Sequence, residues 1–247
     1  MCFEFNLSTC TSHNSRTILY PLKDIARITL FRFCEGLYGI VPRRKVWLSV
    51  NNRVLYTDEL YYIDFISDML GLELHNITSL DICLDMSKNI PQYLRRLIKD
   101  KSLCVILNGK SIKDRQADRP EIIYIRSGNL NKEKYLTVNI KEKKAINDKS
   151  KGRTLTAYNK LAEIANSSGK NYINDKYKQP PKIYRLEVHL NNEEIKNYIE
   201  RTRTELNINT IFNINFIYSL YIDTLNHIIR FEHEGKKSRG KISLTGL

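Results

Sequence analysis

The chain is 247 residues long, enough for one sizeable hydrophobic core, and its 42% hydrophobic content is ordinary for a globular protein. Forty Lys and Arg face 27 Asp and Glu, a formal +13 that points to a polyanionic partner, nucleic acid before a membrane surface. No apolar run approaches the ~18 residues of a membrane span, and neither HExxH nor CxxC occurs among the five His and five Cys, which excludes zincin and zinc-ribbon chemistry. The opening MCFEFNLSTC has no basic n-region and no apolar h-region, and Cys2, Cys10, Cys34, Cys83 and Cys104 are scattered. A reducing, cytoplasmic location is therefore expected.

Three β-rich runs come first: ARITLFRF, GLYGIV and KVWLSV. Gly36, Gly39, Pro42 and the Asn51–Asn52 pair punctuate them, and RVLY after that pair predicts a hairpin. TDELYYIDFISDMLG predicts a helix, with Thr57 or Asp58 at its start and Leu60, Ile63, Ile66 and Leu70 on one face. ITSLDICLDMS is a strand and IPQYLRRLIKD a helix with Pro91 in its first turn. EIIYIR and YLTVNI predict a hairpin, and KEKKAINDKSKGR a basic loop. SSGKNYINDKYKQPP reads as a second loop and KIYRLEVHL as a strand. One helix is expected from Asn192, and another spans TIFNINFIYSLYIDTLNHIIRF before a basic tail. Such an order predicts an α+β fold, a mostly antiparallel central sheet flanked by helices. The chain reads as one domain, with an N-terminal lobe over 1–75, a core over 76–190 and C-terminal helices and tail over 191–247. Its two halves are expected to be lobes of a continuous sheet.

Two strands carry ionisable residues on one side. Asp81, Cys83 and Asp85 alternate with Leu80, Ile82 and Leu84; Glu187 and His189 alternate with Leu186, Val188 and Leu190. Charge in an apolar strand is costly unless paired or metal-bound. If the strands are neighbours, Asp81, Glu187 and His189 converge on a divalent cation, and oxygen donors with one imidazole suit Mg²⁺ or Mn²⁺. A sheet whose polar face meets water accounts for the same alternation, and both readings stay open at this point. A third stretch, GRTLTAYNKLAEI (152–164), places Tyr158 just ahead of Lys160 and Glu163. Lys141, Lys143, Lys144, Lys149, Lys151 and Arg153 precede this tyrosine, and Lys170, Lys176, Lys178 and Lys182 follow it. A solvated loop accounts for such runs of charge.

Taken in order, ITSLDICLDMS, GRTLTAYNKLAEI and IYRLEVHL resemble the rolling-circle replication initiators of the filamentous-phage gene II type and the related trans-acting plasmid initiators. Asp81 matches the acid of the family's first block, and Asp85 the second acid of the plasmid branch. Tyr158, Lys160 and Glu163 match its Tyr-x-Lys block, and Arg185 and Glu187 its Arg-x-Glu block. Ser79 stands where an arginine often precedes the aspartate, and nothing after residue 190 is matched.

The resemblance implies an HUH-endonuclease-like initiator fold and a site-specific DNA nicking and joining enzyme. Tyr158 would attack the scissile phosphate and keep the 5′ end as a phosphotyrosine. Asp81 and Glu187, with Asp85 or His189, would hold Mg²⁺ or Mn²⁺. Lys160 would stabilise developing charge or lower the tyrosine pKa from ~10. Glu163 would orient Lys160 or act as base for a water. The cations on either side of Tyr158 would neutralise phosphates of origin DNA, with Tyr172 and Tyr177 stacking on unpaired bases, and Arg185 joins this DNA-binding set. The implied partner is origin DNA, with room for a host helicase, no membrane, and either a monomer or a dimer. A mobilisation relaxase or single-strand transposase shares this chemistry. A non-catalytic DNA-binding regulator would keep the basic loops without a metal, and charge alone also admits an RNA-binding protein.

Overall fold

The structure, a computed structural model, describes residues 2–4, 17–22, 26–31, 35–36, 39–40, 46–57, 59, 61–69, 71–112, 119–128, 134–147, 152–233, 241–242 and 244, with backbone alone before Val50. The N-terminal backbone carries β1 (Cys2–Glu4), β2 (Thr17–Leu22), β3 (Ala26–Phe31), β4 (Glu35–Gly36), β5 (Gly39–Ile40) and β6 (Val46–Val50). Next come a 3-10 helix (Asn52–Tyr56), α1 (Tyr61–Met69), β7 (Ser79–Met86), α2 (Ile90–Lys99), β8 (Leu103–Leu107) and β9 (Lys110–Ile112). β10 (Ile122–Gly128), β11 (Lys134–Lys141), α3 (Lys143–Asn147), β12 (Thr154–Asn159) and α4 (Lys160–Glu163) follow. A π-helical turn (Ile164–Ser168), α5 (Asn171–Lys176), β13 (Tyr184–Asn191) and α6 (Asn192–Thr202) continue the chain. It closes with α7 (Ile208–Phe212), α8 (Ile214–Ile228), β14 (Ile229–His233) and β15 (Lys241–Ile242).

The fold is α+β. Its main sheet has six strands in the order β1-β7-β13-β12-β11-β10, every pairing antiparallel. One face is apolar: Leu80, Ile82, Leu155, Ala157, Val138, Ile140, Leu186 and Val188 are all fully buried. Helices α2 and α8 pack on β12 and β13 and share this core. In α2 the Asn89 side chain accepts from the Gln92 N–H, Pro91 sits in the first turn, and Ile90, Leu94, Leu97 and Ile98 point inward. In α8 Ile217, Leu220, Tyr221, Leu225 and Ile228 do the same.

Several elements differ from their sequence reading. The expected hairpin at RVLY is the 3-10 helix: the Asn51 side chain accepts from the Arg53 N–H, and Val54, Leu55 and Tyr56 are buried in succession, which strand alternation would not allow. The continuous sheet is instead four sheets among the described residues, with β2-β3-β6 and β4-β5 separate from the main one and only β1 joining it. The two expected loops contain short helices, α3 and α5. The long final helix is broken at Asn213, whose side chain accepts from the Asn215 and Phe216 N–H groups and starts α8 afresh. It ends at Ile228, because Ile229 to His233 pair with β8. That partner strand belongs to a β8–β9 hairpin turning on Asn108 (φ 49°) and Gly109 (φ 76°), both in the left-handed region a two-residue turn requires.

Candidate active site

β13 is the centre of the site because it is paired on both edges. Alternation sends Arg185, Glu187 and His189 to the face opposite the apolar core. Their ladder partners share that face. On β7, Asp85 lies opposite Arg185, Cys83 opposite Glu187 and Asp81 opposite His189. On β12, Tyr158 lies opposite Arg185, Thr156 opposite Glu187 and Thr154 opposite His189. Directly paired side chains stand ~4.5–5.5 Å apart at Cβ. The three resembling blocks are thus three adjacent strands, and their polar residues share one face.

Within this face the Tyr158 hydroxyl donates to Glu187 Oε2 at 2.9 Å. Burial raises the Tyr158 pKa well above that of an ordinary phenol, and the Glu187 carboxylate adds to the rise. The Arg185 guanidinium works in the opposite direction without overcoming them. Lys160 opens α4 behind the tyrosine and is almost wholly buried; its ammonium lies 5.7 Å from the Tyr158 ring centroid and pairs with Glu163 Oε2 at 2.7 Å. The backbone fixes this junction: Asn159 caps α4 by accepting from the Ala162 N–H, and the Lys160 N–H donates to Ile183 O at 2.8 Å. One pair along the sheet, His189 Nδ1 is bonded to Asp81 Oδ1. That bond raises the His189 pKa; burial opposes the shift, and the Asp81 and Glu187 charges reinforce it.

Asp85 and Arg185 do something other than expected. The Arg185 Nε donates to Asp85 Oδ1 and Nη2 to Asp85 Oδ2, each at 2.7 Å, while Nη2 also donates to the Tyr56 hydroxyl at 2.7 Å. The Tyr177 hydroxyl donates to Asp85 Oδ2 at 3.0 Å. Arg185 has 0% exposure, so it is closed to DNA phosphates, and both Asp85 oxygens are already engaged by Arg185 and Tyr177 rather than offered to a metal. A bidentate pair of this kind is an internal brace. It anchors the 3-10 helix and the segment after α5 to the sheet beside Tyr158. Tyr172, expected to stack on bases, instead donates its hydroxyl to Asn52 Oδ1 at 2.6 Å and packs edge-on against Tyr56. The sequence reading took Asn52 and Tyr56 only as parts of a turn and a hairpin, not as residues of the site; the unbroken apolar run Val54–Tyr56 after Asn51 is the signal they left.

Arg153 is also internal. It bridges Glu142 at 2.9 Å and Glu194 at 2.7 Å with little exposure, so its expected phosphate contact does not fit this placement. Burial works to raise the Glu142 pKa, but His227, the Arg153 N–H and the Arg153 guanidinium together bring it down to about 2 from 4.5. A carboxylate depressed on folding stabilises above its unfolded pKa, and that contribution fades as pH falls towards the folded value. The melting temperature is therefore expected to fall between pH 4.5 and about 2. Glu142→Gln should flatten that stretch of the curve, and an unchanged slope would show that this network does not carry the acid sensitivity. Lys141 and Lys143 remain solvent-accessible, as do Lys170, Lys176, Lys178 and Lys182. Lys149, Lys151 and the Lys144 side chain lie outside the described residues.

Two carboxylates and an imidazole on paired strands, Asp81, Glu187 and His189, are donors that suit a hard divalent cation. Among the described residues they are not gathered into a ready-made ligand cluster, and each carboxylate holds an internal hydrogen bond. No helix among the described residues is long and apolar enough to cross a membrane.

No protein-family model matches the chain, and no curated protein matches it. Among solved structures, a rolling circle replication initiator protein from Geobacillus stearothermophilus is similar at 10% identity and a TM-score of 0.44, covering 90% of this chain and 74% of that one.

Proposed function

We propose that the chain is a tyrosine strand transferase, a site-specific DNA nicking and joining enzyme that starts rolling-circle replication. The observation that carries this reading is the Tyr158 hydroxyl bonded to Glu187 beside the Asp81–His189 pair, all on one face of three adjacent strands. The pattern of blocks in the sequence accords with it.

Tyr158 Oη forms a bond to the scissile phosphorus as the bond from phosphorus to the 3′-oxygen breaks. The phenolic proton passes to Glu187, the carboxylate already accepting from it, and the departing 3′-oxygen takes a proton from solvent. A tyrosyl 5′-phosphodiester and a free 3′-hydroxyl result. Because a phosphodiester is exchanged for a phosphodiester, an incoming 3′-hydroxyl can reverse the step and rejoin the strand. Burial holds the phenol's pKa above its ordinary value, so Tyr158 needs Glu187 as the acceptor of its proton. Lys160 is a fixed positive charge 5.7 Å from the ring centroid and Glu163 orients it, while Arg185 is the cation paired across the ladder from Tyr158. Asp81, Glu187 and His189 would hold a Mg²⁺ or Mn²⁺ ion, which supplies Lewis-acid polarisation of the phosphate when bound.

The test is incubation of the protein with labelled single strands and with supercoiled DNA bearing candidate origins, in Mn²⁺ and in EDTA. A boiling-resistant protein–DNA adduct with an extendable 3′-end is expected in Mn²⁺ only. DNA binding without an adduct under any metal would instead mark a non-catalytic regulator.

A further inference from the structure

We infer that the outer surface of α2 and the adjoining side of β10 form a second nucleic-acid surface, lying behind the sheet from Tyr158 and gripping phosphates through Lys88, Arg95, Arg96, Lys99 and Arg126. It shares with the proposed function only nucleic acid as partner and needs no covalent step.

Register places this surface. Tyr124 of β10 lies opposite Val138, Val138 opposite Ala157, and Ala157 opposite Leu186. Cross-strand partners share a face, so Tyr124 belongs with the apolar side and Tyr158 with the other. Arg126, two residues on, shares the face of Tyr124. The Arg95 guanidinium sits 5.9 Å from the Tyr124 ring centroid, which sets the exposed flank of α2 beside β10. Lys88 Nζ lies 3.9 Å and the Arg96 guanidinium 5.3 Å from the Tyr93 ring centroid. Lys99 is one turn from both arginines on the same helix.

These five cations make no ion pair among the described residues. From Lys88 to Lys101 the only acid is Asp100, which accepts from the Ser102 N–H and hydroxyl. Arg96 and Lys99 sit in the last turn of α2, where cations suit the helix dipole, but that does not account for Lys88, Arg95 and Arg126, and like charges one turn apart repel. The cations, with the exposed Tyr124 ring among them, match what a single strand requires: charge for its backbone and a flat face for a base. A lipid surface is a poorer match, since the apolar residues Ile90, Leu94, Leu97 and Ile98 of α2 all point into the core and leave nothing to insert. The route from the catalytic face is short. β10 is the outermost strand, one strand removed from β12, and so only ~10 Å across the sheet. Ile123 and Ile125 of β10 are exposed on the catalytic side, so a strand leaving Tyr158 meets this edge first.

The experiment compares the full chain with an Arg95→Gln/Arg96→Gln/Lys99→Gln variant and with Tyr158→Phe. Affinity for a labelled single strand and for the matching duplex is measured across a salt series. Gln is a good helix former, so α2 should persist. The triple variant is expected to bind at least about tenfold more weakly at low salt, with the single-strand salt slope reduced by about two, at ~0.7 per lost phosphate contact. Tyr158→Phe should bind as the wild type does. If the melting temperature of the triple variant drops, Lys88→Gln/Arg126→Gln, outside the helix, must lower the slope by about 1.4, at the same ~0.7 per lost contact. A wild-type slope in correctly folded variants overturns the inference, as does a wild type that binds no nucleic acid. Loss of binding to phosphatidylserine vesicles with nucleic-acid binding retained also overturns it, in favour of a membrane. If the wild type forms no adduct but the variants lose slope, strand transfer fails and this surface stands; an adduct with unchanged slopes gives the converse.

Discussion

Tyr158→Phe is expected to abolish the covalent adduct while leaving DNA affinity within about twofold of wild type. Losing the nucleophile of a covalent mechanism costs on the order of 10⁴- to 10⁶-fold in rate. In an adduct assay that is a blank lane. The substitution removes only the hydroxyl, and with it one hydrogen bond to Glu187, so the ring stays packed between β13 and Lys160. The rival tyrosines are committed elsewhere: Tyr172 donates to Asn52 and Tyr177 to Asp85. Tyr172→Phe and Tyr177→Phe should therefore still form the adduct. If Tyr158→Phe forms it and one of these does not, the nucleophile has been misassigned. If none of the four proteins forms it with any DNA and metal, the enzyme reading gives way to the binding protein.

The second large effect is on stability. Arg185→Met is expected to destabilise the chain by roughly 3–5 kcal/mol, the cost of stranding one member of a buried ion pair. The Arg185 side chain is 0% exposed and that of Asp85 3%, so water cannot make good the loss. The change should be read by chemical denaturation and compared with Arg185→Met/Asp85→Leu, in which neither charge remains. The double variant should recover a large part of the loss, because an apolar pair of similar volume can replace a buried ion pair. A loss below about 1 kcal/mol for Arg185→Met would mean that the brace among Arg185, Asp85, Tyr56 and Tyr177 contributes little to the fold.

How much of this was legible in the sequence depended on periodicity. Strict alternation around Asp81 and around Glu187 named both strands and the face each residue takes, because a half-buried strand must alternate. It could not say that β13 lies between β7 and β12; that is a long-range choice. Nor could it say what Arg185 touches. A cation next to a catalytic block reads as a phosphate ligand until its partner is seen, and Asp85 is a hundred residues away in the chain. Arg153 was misread for the same reason, with Glu142 and Glu194 on different elements. The β8–β9 hairpin was a different omission. Asn108–Gly109 between LCVIL and KSI is a strong local turn signal, and overlooking it also hid β14, which needs β8 as its partner. Tyr172 and Tyr177 looked mobile in a lysine-rich stretch without apolar period, but their hydroxyls tie that stretch down.

The place of β13 in the sheet has a consequence for biosynthesis. This strand is hydrogen-bonded on both sides, to β7 and to β12, yet it comes late in the chain, after both of them. While a ribosome is still making residues 1–183, Asp81 and Tyr158 sit on strands that lack their common neighbour, and Glu187 does not exist. Pairing β7 with β13 closes a loop of about a hundred residues, which makes it a slow, non-local event. On the proposed function, a nascent or truncated chain would expose its basic surfaces before its site is complete, and competence to break a strand would arrive only with the last strand of that site.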